Sequence, residues 1–243
     1  MWKKRFEYKF FIDISQKNNL LSDLNYFMEK DKYSLKTGHY FVNSLYFDTF
    51  DFICYKEKAE GVSRRTKFRI RNYEPDINKI INSKFFQVQL KKRVGEKYLK
   101  GNQSFQSFSM FDFLNYNNFI ENNCTSIISH FDTSKESILN DFILQVLQQR
   151  LKPVSLIRYD REAYIDRVFD IRITLDQNIL CSRYSADQEM FFCPIISSDL
   201  IVLEYKFNDL IPHWMTSIAK KYGIKKEKIS KYEASIERLY NFL

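Results

Sequence analysis

The sequence predicts an α+β fold in which a β-sheet curls around a polar, cation-rich interior while its aromatic outer face packs against helices. The first sign is Arg5-Phe6-Glu7-Tyr8-Lys9. Alternate residues of an extended strand share a face, so Arg5, Glu7 and Lys9 lie on one side and Phe6, Tyr8 and Phe10 on the other. The second is recurrence: the device returns five more times, each time with basic residues, and occasionally a carboxylate, on one face of a strand. The third is composition. A 44% hydrophobic content with 23 Phe and 16 Tyr supplies a core, and a net charge of +8 calls for an anionic partner.

The elements follow in order. After the first strand, Ser15 to about Lys30 carries Leu20, Leu21, Leu24, Phe27 and Met28 at helical spacing. Tyr40 to Asp48 reads as a strand, and residues 50–60 as a short polar helix or turn ending at Gly61. In the strand Arg64 to Tyr73, Lys67, Arg69 and Arg71 face one way and Phe68 and Ile70 the other. Pro75 to Ser83 is a loop, and Lys84 to Arg93 the next strand, followed by a turn at Gly95 and a basic segment to Lys100. Residues 101–133 carry the weakest periodicity and read as a small helix at 105–116 plus connections. Ser134 to Arg150 is a helix with Ser134 as cap and Ile138, Phe142, Val146 and Leu147 in one stripe.

Pro153 opens a second β-rich half with strands at about 154–166, 169–180 and 199–208. Tyr159 and Arg161 share a face, as do Arg172, Thr174 and Asp176, opposite Ile171, Ile173 and Leu175. Glu204 and Lys206 lie together, opposite Leu203, Tyr205 and Phe207. Pro212 starts a helix that ends at Gly223, and Ser230 with Glu233 forms a capping box for the last one. With no composition break marking a linker, residues 1–243 are expected to form one domain.

The remaining features exclude several classes. Cys54, Cys124, Cys181 and Cys193 form no C-x-x-C pair, which argues against a zinc finger or disulfide scaffold and for a reducing compartment. Met1-Trp2-Lys3-Lys4-Arg5 runs straight into a strand, so no signal peptide is expected. No apolar stretch reaches the roughly 20 residues that span a bilayer, so the expectation is a cytoplasmic protein that is not itself transmembrane. Nucleic acid is disfavoured as partner, because the aromatics alternate opposite the basic residues rather than among them as stacking platforms require. His39, His130 and His213 are isolated, and no Ser-His-Asp or Cys-His arrangement is evident.

Chemistry gives the charged faces a purpose. Arg presents a planar fork of donors that matches phosphate oxygens, and Lys a compact point charge. Several around a confined channel would hold a chain of phosphates. The carboxylates of Glu7 and Glu204 offset part of the charge and are natural oxygen ligands for Mg²⁺ or Mn²⁺.

At this point the ordered set Arg5-x-Glu7-x-Lys9, Ser44-Leu45-Tyr46-Phe47-Asp48-Thr49, Lys67-x-Arg69-x-Arg71, Tyr159-x-Arg161, Arg172-Ile173-Thr174-x-Asp176, Glu204-x-Lys206 and Ser230-Lys231-Tyr232 resembles the VTC domain. This is the polyphosphate polymerase branch of the triphosphate tunnel metalloenzymes. The resemblance covers nearly the whole chain and is weakest at 101–133. It implies a closed antiparallel β-barrel, the triphosphate tunnel, with helices outside. It further implies transfer of the γ-phosphoryl group of ATP to a growing polyphosphate chain, with one Mn²⁺ or Mg²⁺ as cofactor and a membrane protein as a candidate partner. Carried over by motif, Lys9, Arg69, Arg71, Lys91, Arg161 and Arg172 would hold the triphosphate, with Arg69, Arg71 and Arg172 neutralising the transferring group. Glu204, with Glu7, would ligate the metal. Tyr159, Lys100, Lys206, Lys228, Ser230 and Lys231 would line the tunnel or its product side.

Two positions bear on activity. Triphosphate hydrolases of the same tunnel class resemble Glu-x-Glu-x-Lys on the first strand, so Arg5 speaks against hydrolysis. Gln89 stands where the family usually has Glu, two residues before Lys91. An amide is a poor ligand for a hard cation, which keeps open a reading as a polyphosphate-binding module without turnover.

Overall fold

The computed structural model describes residues 3–35, 37–95, 97–106, 109–120, 138–166, 168–185, 189–208 and 210–241. Its strands are β1 (Lys3–Asp13), β2 (Glu29–Lys30), β3 (Tyr40–Asp48), β4 (Arg64–Asn72), β5 (Phe86–Val94), β6 (Lys97–Phe105), β7 (Lys152–Asp166), β8 (Ile171–Arg183), β9 (Cys193–Pro194) and β10 (Leu200–Phe207). The helices are α1 (Lys17–Leu24), α2 (Ile53–Ala59), α3 (Met110–Ile120), α4 (Ile138–Gln148), α5 (His213–Lys221) and α6 (Lys231–Tyr240).

The expected closed barrel needs correction. The strands form one antiparallel ten-stranded sheet in the order β2-β7-β3-β4-β5-β6-β1-β10-β8-β9. A closed barrel gives every strand two neighbours. Here the sheet has two ends, since among the described residues β2 pairs with β7 alone and β9 with β8 alone. Both ends are two residues long, and β9 contains Pro194, whose missing N–H confines it to an edge. β7 and β8 also pair with each other along 155–166 and 171–183, so the eight longer strands each have two neighbours around a polar concave face, while β2 and β9 run on past that seam as the sheet's two free ends. Alternation in a sequence tells which face of a strand is polar; how the sheet's edges end is a matter of tertiary pairing.

Other elements differ in extent. The helix expected over Ser15 to Lys30 stops at Leu24, once Leu20 and Leu24 are buried, and the chain then turns into β2. β6 falls where only a basic segment and a weak helix were expected. Gly101, Asn102 and Ser104 have low strand propensity, yet pairing with β5 from Lys97 to Phe105 and with β1 overrides it. The expected Ser134 cap, His130 and Cys124 lie outside the described residues. Ser230 caps α6 through its Oγ, which accepts the Glu233 N–H.

The convex face is apolar. Phe10, Ile173, Leu203 and Tyr205 pack with Leu20 and Leu24 of α1 and Met215 and Ile218 of α5. A second cluster seats α4 on β3 to β5, with the Phe142 ring 5.4 Å from Phe47 and 6.1 Å from Phe68, both edge to face. Among the described residues no helix is long and apolar enough to cross a membrane.

Candidate functional site

The concave face gathers the charged residues into a cavity of 790 Å³. It receives Glu7 and Lys9 from β1, Lys67, Arg69 and Arg71 from β4, Lys91 from β5 and Lys100 from β6. Tyr159 and Arg161 of β7, Arg172 of β8, Glu204 and Lys206 of β10, and Ser230 and Lys231 at the start of α6 also line it; of these residues all but Lys67 belong to the predicted set. Lys228 stands apart: it borders a smaller cavity of 230 Å³ with Phe11, Ile195 and Ile229.

Register brings like charges face to face, because Lys91 is the cross-strand partner of both Lys67 and Lys100. Few carboxylates offset them. Glu204 accepts Lys206 Nζ at 2.5 Å and Lys9 Nζ at 3.1 Å, with Arg161 Nη2 at 3.6 Å. Burial pushes the Glu204 carboxyl up, but Lys206, Lys9, Lys231 and Arg161 outweigh it and hold it well below the usual range. Glu7 accepts Lys91 Nζ at 2.5 Å. There too burial raises the pKa, and Lys91, Lys206 and Lys9 bring it down to about 2.

The arginines are held in set directions. Arg69 donates from Nε to Gln89 Oε1 at 2.8 Å and from Nη1 to Tyr46 Oη at 3.0 Å. Arg71 donates to Ser44 Oγ at 2.9 Å and Tyr159 Oη at 3.2 Å. Arg172 donates from Nη2 to Asp31 Oδ2 at 2.6 Å and Tyr40 Oη at 2.9 Å. Gln89 is fully buried and, by accepting from Arg69, orients that guanidinium without neutralising it. Its own amide donates to Gln87 Oε1 at 2.7 Å.

Where compensation fails, amines give way. Burial, with Arg69, Arg71, Lys206 and Lys91 close by, pushes the Lys100 ammonium down to about 6. Burial lowers Lys206 to about 8 despite Glu204. Lys67 falls well below its ordinary value through burial, Lys9 and Lys91. Burial raises the Tyr46 phenol, but Arg69 and Arg71 outweigh that and bring it to about 8. Such an interior favours anions strongly: each one bound restores protons that the empty cavity holds poorly.

Several participants were not among the predicted site residues. Asp176 is fully buried, accepts Arg161 Nε at 2.6 Å and Nη2 at 2.7 Å, and also accepts Lys231 Nζ at 2.6 Å. Its position on the Arg172–Thr174 face was a usable signal. Asp31, 141 residues from Arg172, left none. Lys67, which donates to Ser230 Oγ at 2.9 Å, and Tyr46, stacked on Tyr232 at 5.0 Å, also line the cavity.

The donor set suits a hard cation only in part. Among the described residues no group of three His, Cys, Asp or Glu could hold a metal ion. Glu7 and Glu204 are two carboxylates on adjacent strands of the cavity wall. That matches the habit of Mg²⁺-like ions, which take one or two carboxylates and fill the remaining positions with water and substrate phosphate oxygens.

The sequence matches the family described as VTC domain over residues 4–240. No curated protein matches it. Among solved structures it is similar to a protein named putative adenylate cyclase from Bacillus halodurans, with 16% identity, 98% of each chain covered and a TM-score of 0.54. It is also similar to a protein of Pyrococcus horikoshii OT3, with 11% identity, 96% of each chain covered and a TM-score of 0.47. At these identities the likeness speaks to the fold alone, and it is the first structure that carries it.

Proposed function

The chain belongs to the VTC domain family, and from that premise we propose that it is a polyphosphate polymerase working as one domain on ATP. The terminal phosphate oxygen of an acceptor chain attacks the γ-phosphorus of ATP. The bond from that phosphorus to the β,γ-bridging oxygen breaks, and ADP leaves with the oxygen. The observation that carries this reading is the cavity's imbalance of ten Lys and Arg side chains against two carboxylates. Phosphoryl transfer needs positioning and charge neutralisation more than a side-chain base, and an anionic nucleophile needs no deprotonation.

Arg69, Arg71 and Lys91 would face the transferring group; Arg172, expected there too, is tied to Asp31 and Tyr40 and would instead join Lys9 and Arg161 on the flanking phosphates. Lys100, Lys206, Lys231, Ser230 and Tyr159 would line the path of the polymer. Lys228, beside this path, would meet polymer only beyond the cavity. Glu204 and Glu7 would hold Mg²⁺ or Mn²⁺, which neutralises phosphate charge when bound. Two features favour polymerase over hydrolase. Arg5 replaces a carboxylate at the first position of the strand motif. Glu7 and Glu204 are ion-paired and held acidic, which makes them weak bases toward water.

Incubation with ATP and Mn²⁺, followed by sizing of the products, tests the reading. Phosphate chains with matching ADP are expected; orthophosphate without chains assigns the protein to the hydrolases, and tight polyphosphate binding without ADP assigns it to the binders. Arg172→Ala and Glu204→Gln should each lower synthesis at least about a hundredfold with unchanged circular dichroism. A folded Arg172→Ala protein with full activity refutes the assignment of Arg172.

A further inference from the structure

We propose that one end of the cavity is a stacking platform for the base of a nucleoside triphosphate, so that the site favours a nucleotide over a bare phosphate chain. The inference rests on the phosphate-site reading above and extends it to the uncharged part of the substrate.

The two ends of the cavity differ. At one, Lys67, Ser230, Lys231 and Tyr232 crowd around the start of α6. The other is aromatic. Tyr40 opens β3, Tyr73 follows β4 and Phe85 precedes β5; the pairing of Asn72 with Phe86 sets Tyr73 and Phe85 at one level, and that of Asn43 with Asn72 brings Tyr40 to the same end of the sheet, two residues further on. Tyr33 joins them from the turn after β2. The Tyr33 and Tyr40 ring centroids are 6.0 Å apart, and those of Tyr40 and Tyr73 5.9 Å, at interplanar angles of 61° and 63°. All four rings line the cavity, yet Tyr33, Tyr73 and Phe85 are 61%, 45% and 66% exposed.

A phosphate chain has no apolar surface to set against these rings. A purine has a flat π-face, and aromatic side chains at the mouth of a cationic groove are the usual means of holding one. The platform is also joined to the phosphate-holding residues. Arg172 donates to Tyr40 Oη and to Asp31 Oδ2, while Asp31 Oδ1 accepts the N–H groups of Tyr33 at 2.8 Å and Ser34 at 3.1 Å. One buried carboxylate therefore positions both the guanidinium that meets the phosphates next to the nucleoside and the turn that carries Tyr33. Lys32 Nζ lies 5.0 Å over the Tyr33 ring and adds positive charge at the same mouth. Ring faces read a π-surface rather than base identity, so ATP and GTP should be held alike.

Calorimetric titration of the whole chain with ATP, GTP and inorganic tripolyphosphate tests this. In the double variant Tyr33→Ala/Tyr73→Ala the Kd for ATP and for GTP should rise about tenfold, while that for tripolyphosphate stays within about twofold. Tyr33→Phe/Tyr73→Phe, which keeps the rings, should restore nucleotide affinity. If the alanine variant weakens ATP and tripolyphosphate alike, or neither, the platform is refuted while the phosphate site stands. Wild-type protein that binds none of the three ligands overturns the phosphate site and the platform with it.

Discussion

Replacing Asp176 with alanine should destabilise the protein by about 3–5 kcal/mol, the cost of removing one partner from a buried ion pair. Asp176 is fully buried and holds two cations, Arg161 by two hydrogen bonds of 2.6 and 2.7 Å and Lys231 by one of 2.6 Å. Burial pushes its carboxyl up, yet Arg161 and Lys231 outweigh that and bring it to about 2, against 3.8 for an ordinary aspartate. By proton linkage that depression contributes about 2 kcal/mol. The folded value lies below the unfolded one, so the contribution is complete above about pH 4 and is lost as the pH falls through about 2. Alanine costs more than protonation because a protonated carboxyl still fills the space and accepts hydrogen bonds, whereas alanine strands Arg161 and Lys231. Urea unfolding followed by circular dichroism at neutral pH is the assay. With a slope of about 3 kcal/mol/M the midpoint should fall by at least about 1 M. Asp176→Ala/Lys231→Ala should regain part of the loss, since one stranded cation is gone. A single variant whose midpoint stays within about 0.3 M of wild type refutes the reasoning.

Three further outcomes are expected. Lys100, pushed down to about 6, is mostly neutral at neutral pH, and a bound polyanion favours its charged form. Tripolyphosphate binding should therefore take up protons and tighten as the pH falls from about 8 to about 6. Calorimetry in buffers of different ionisation enthalpy reads that uptake, and Lys100→Met with undiminished uptake contradicts it. Gln89→Glu places a charge against Arg69 Nε and should weaken tripolyphosphate about three- to tenfold, as an ion pair competes for the guanidinium; equal or tighter binding counts against it. Phe142→Ala empties a fully buried site between Phe47 and Phe68 and should cost about 3–5 kcal/mol. The thermal midpoint then drops by about 10 °C, and a drop under about 3 °C would contradict the seating of α4.

The polar faces were legible because alternation is local. Lys67, Arg69 and Arg71 enter the cavity while Phe68 and Ile70 leave it for no reason beyond strand geometry. β6 was not, since Gly101 and Asn102 become strand only once β5 lies alongside. Nor were the ends of the sheet: β2 and β9 are two residues long and take their shape from β7 and β8. Asp31 illustrates the limit for the site, because its link to Arg172 spans most of the chain and neither residue's neighbours announce the other.

The amino-acid order by itself determined which side of each strand is cationic and, through the ordered motifs, which family the chain belongs to. Only the tertiary structure decided how the sheet ends, which charges meet and which amines surrender their protons. The reason is physical: side-chain alternation is set by the backbone over two residues, whereas a pKa is set by every charge and all the water excluded within several ångströms.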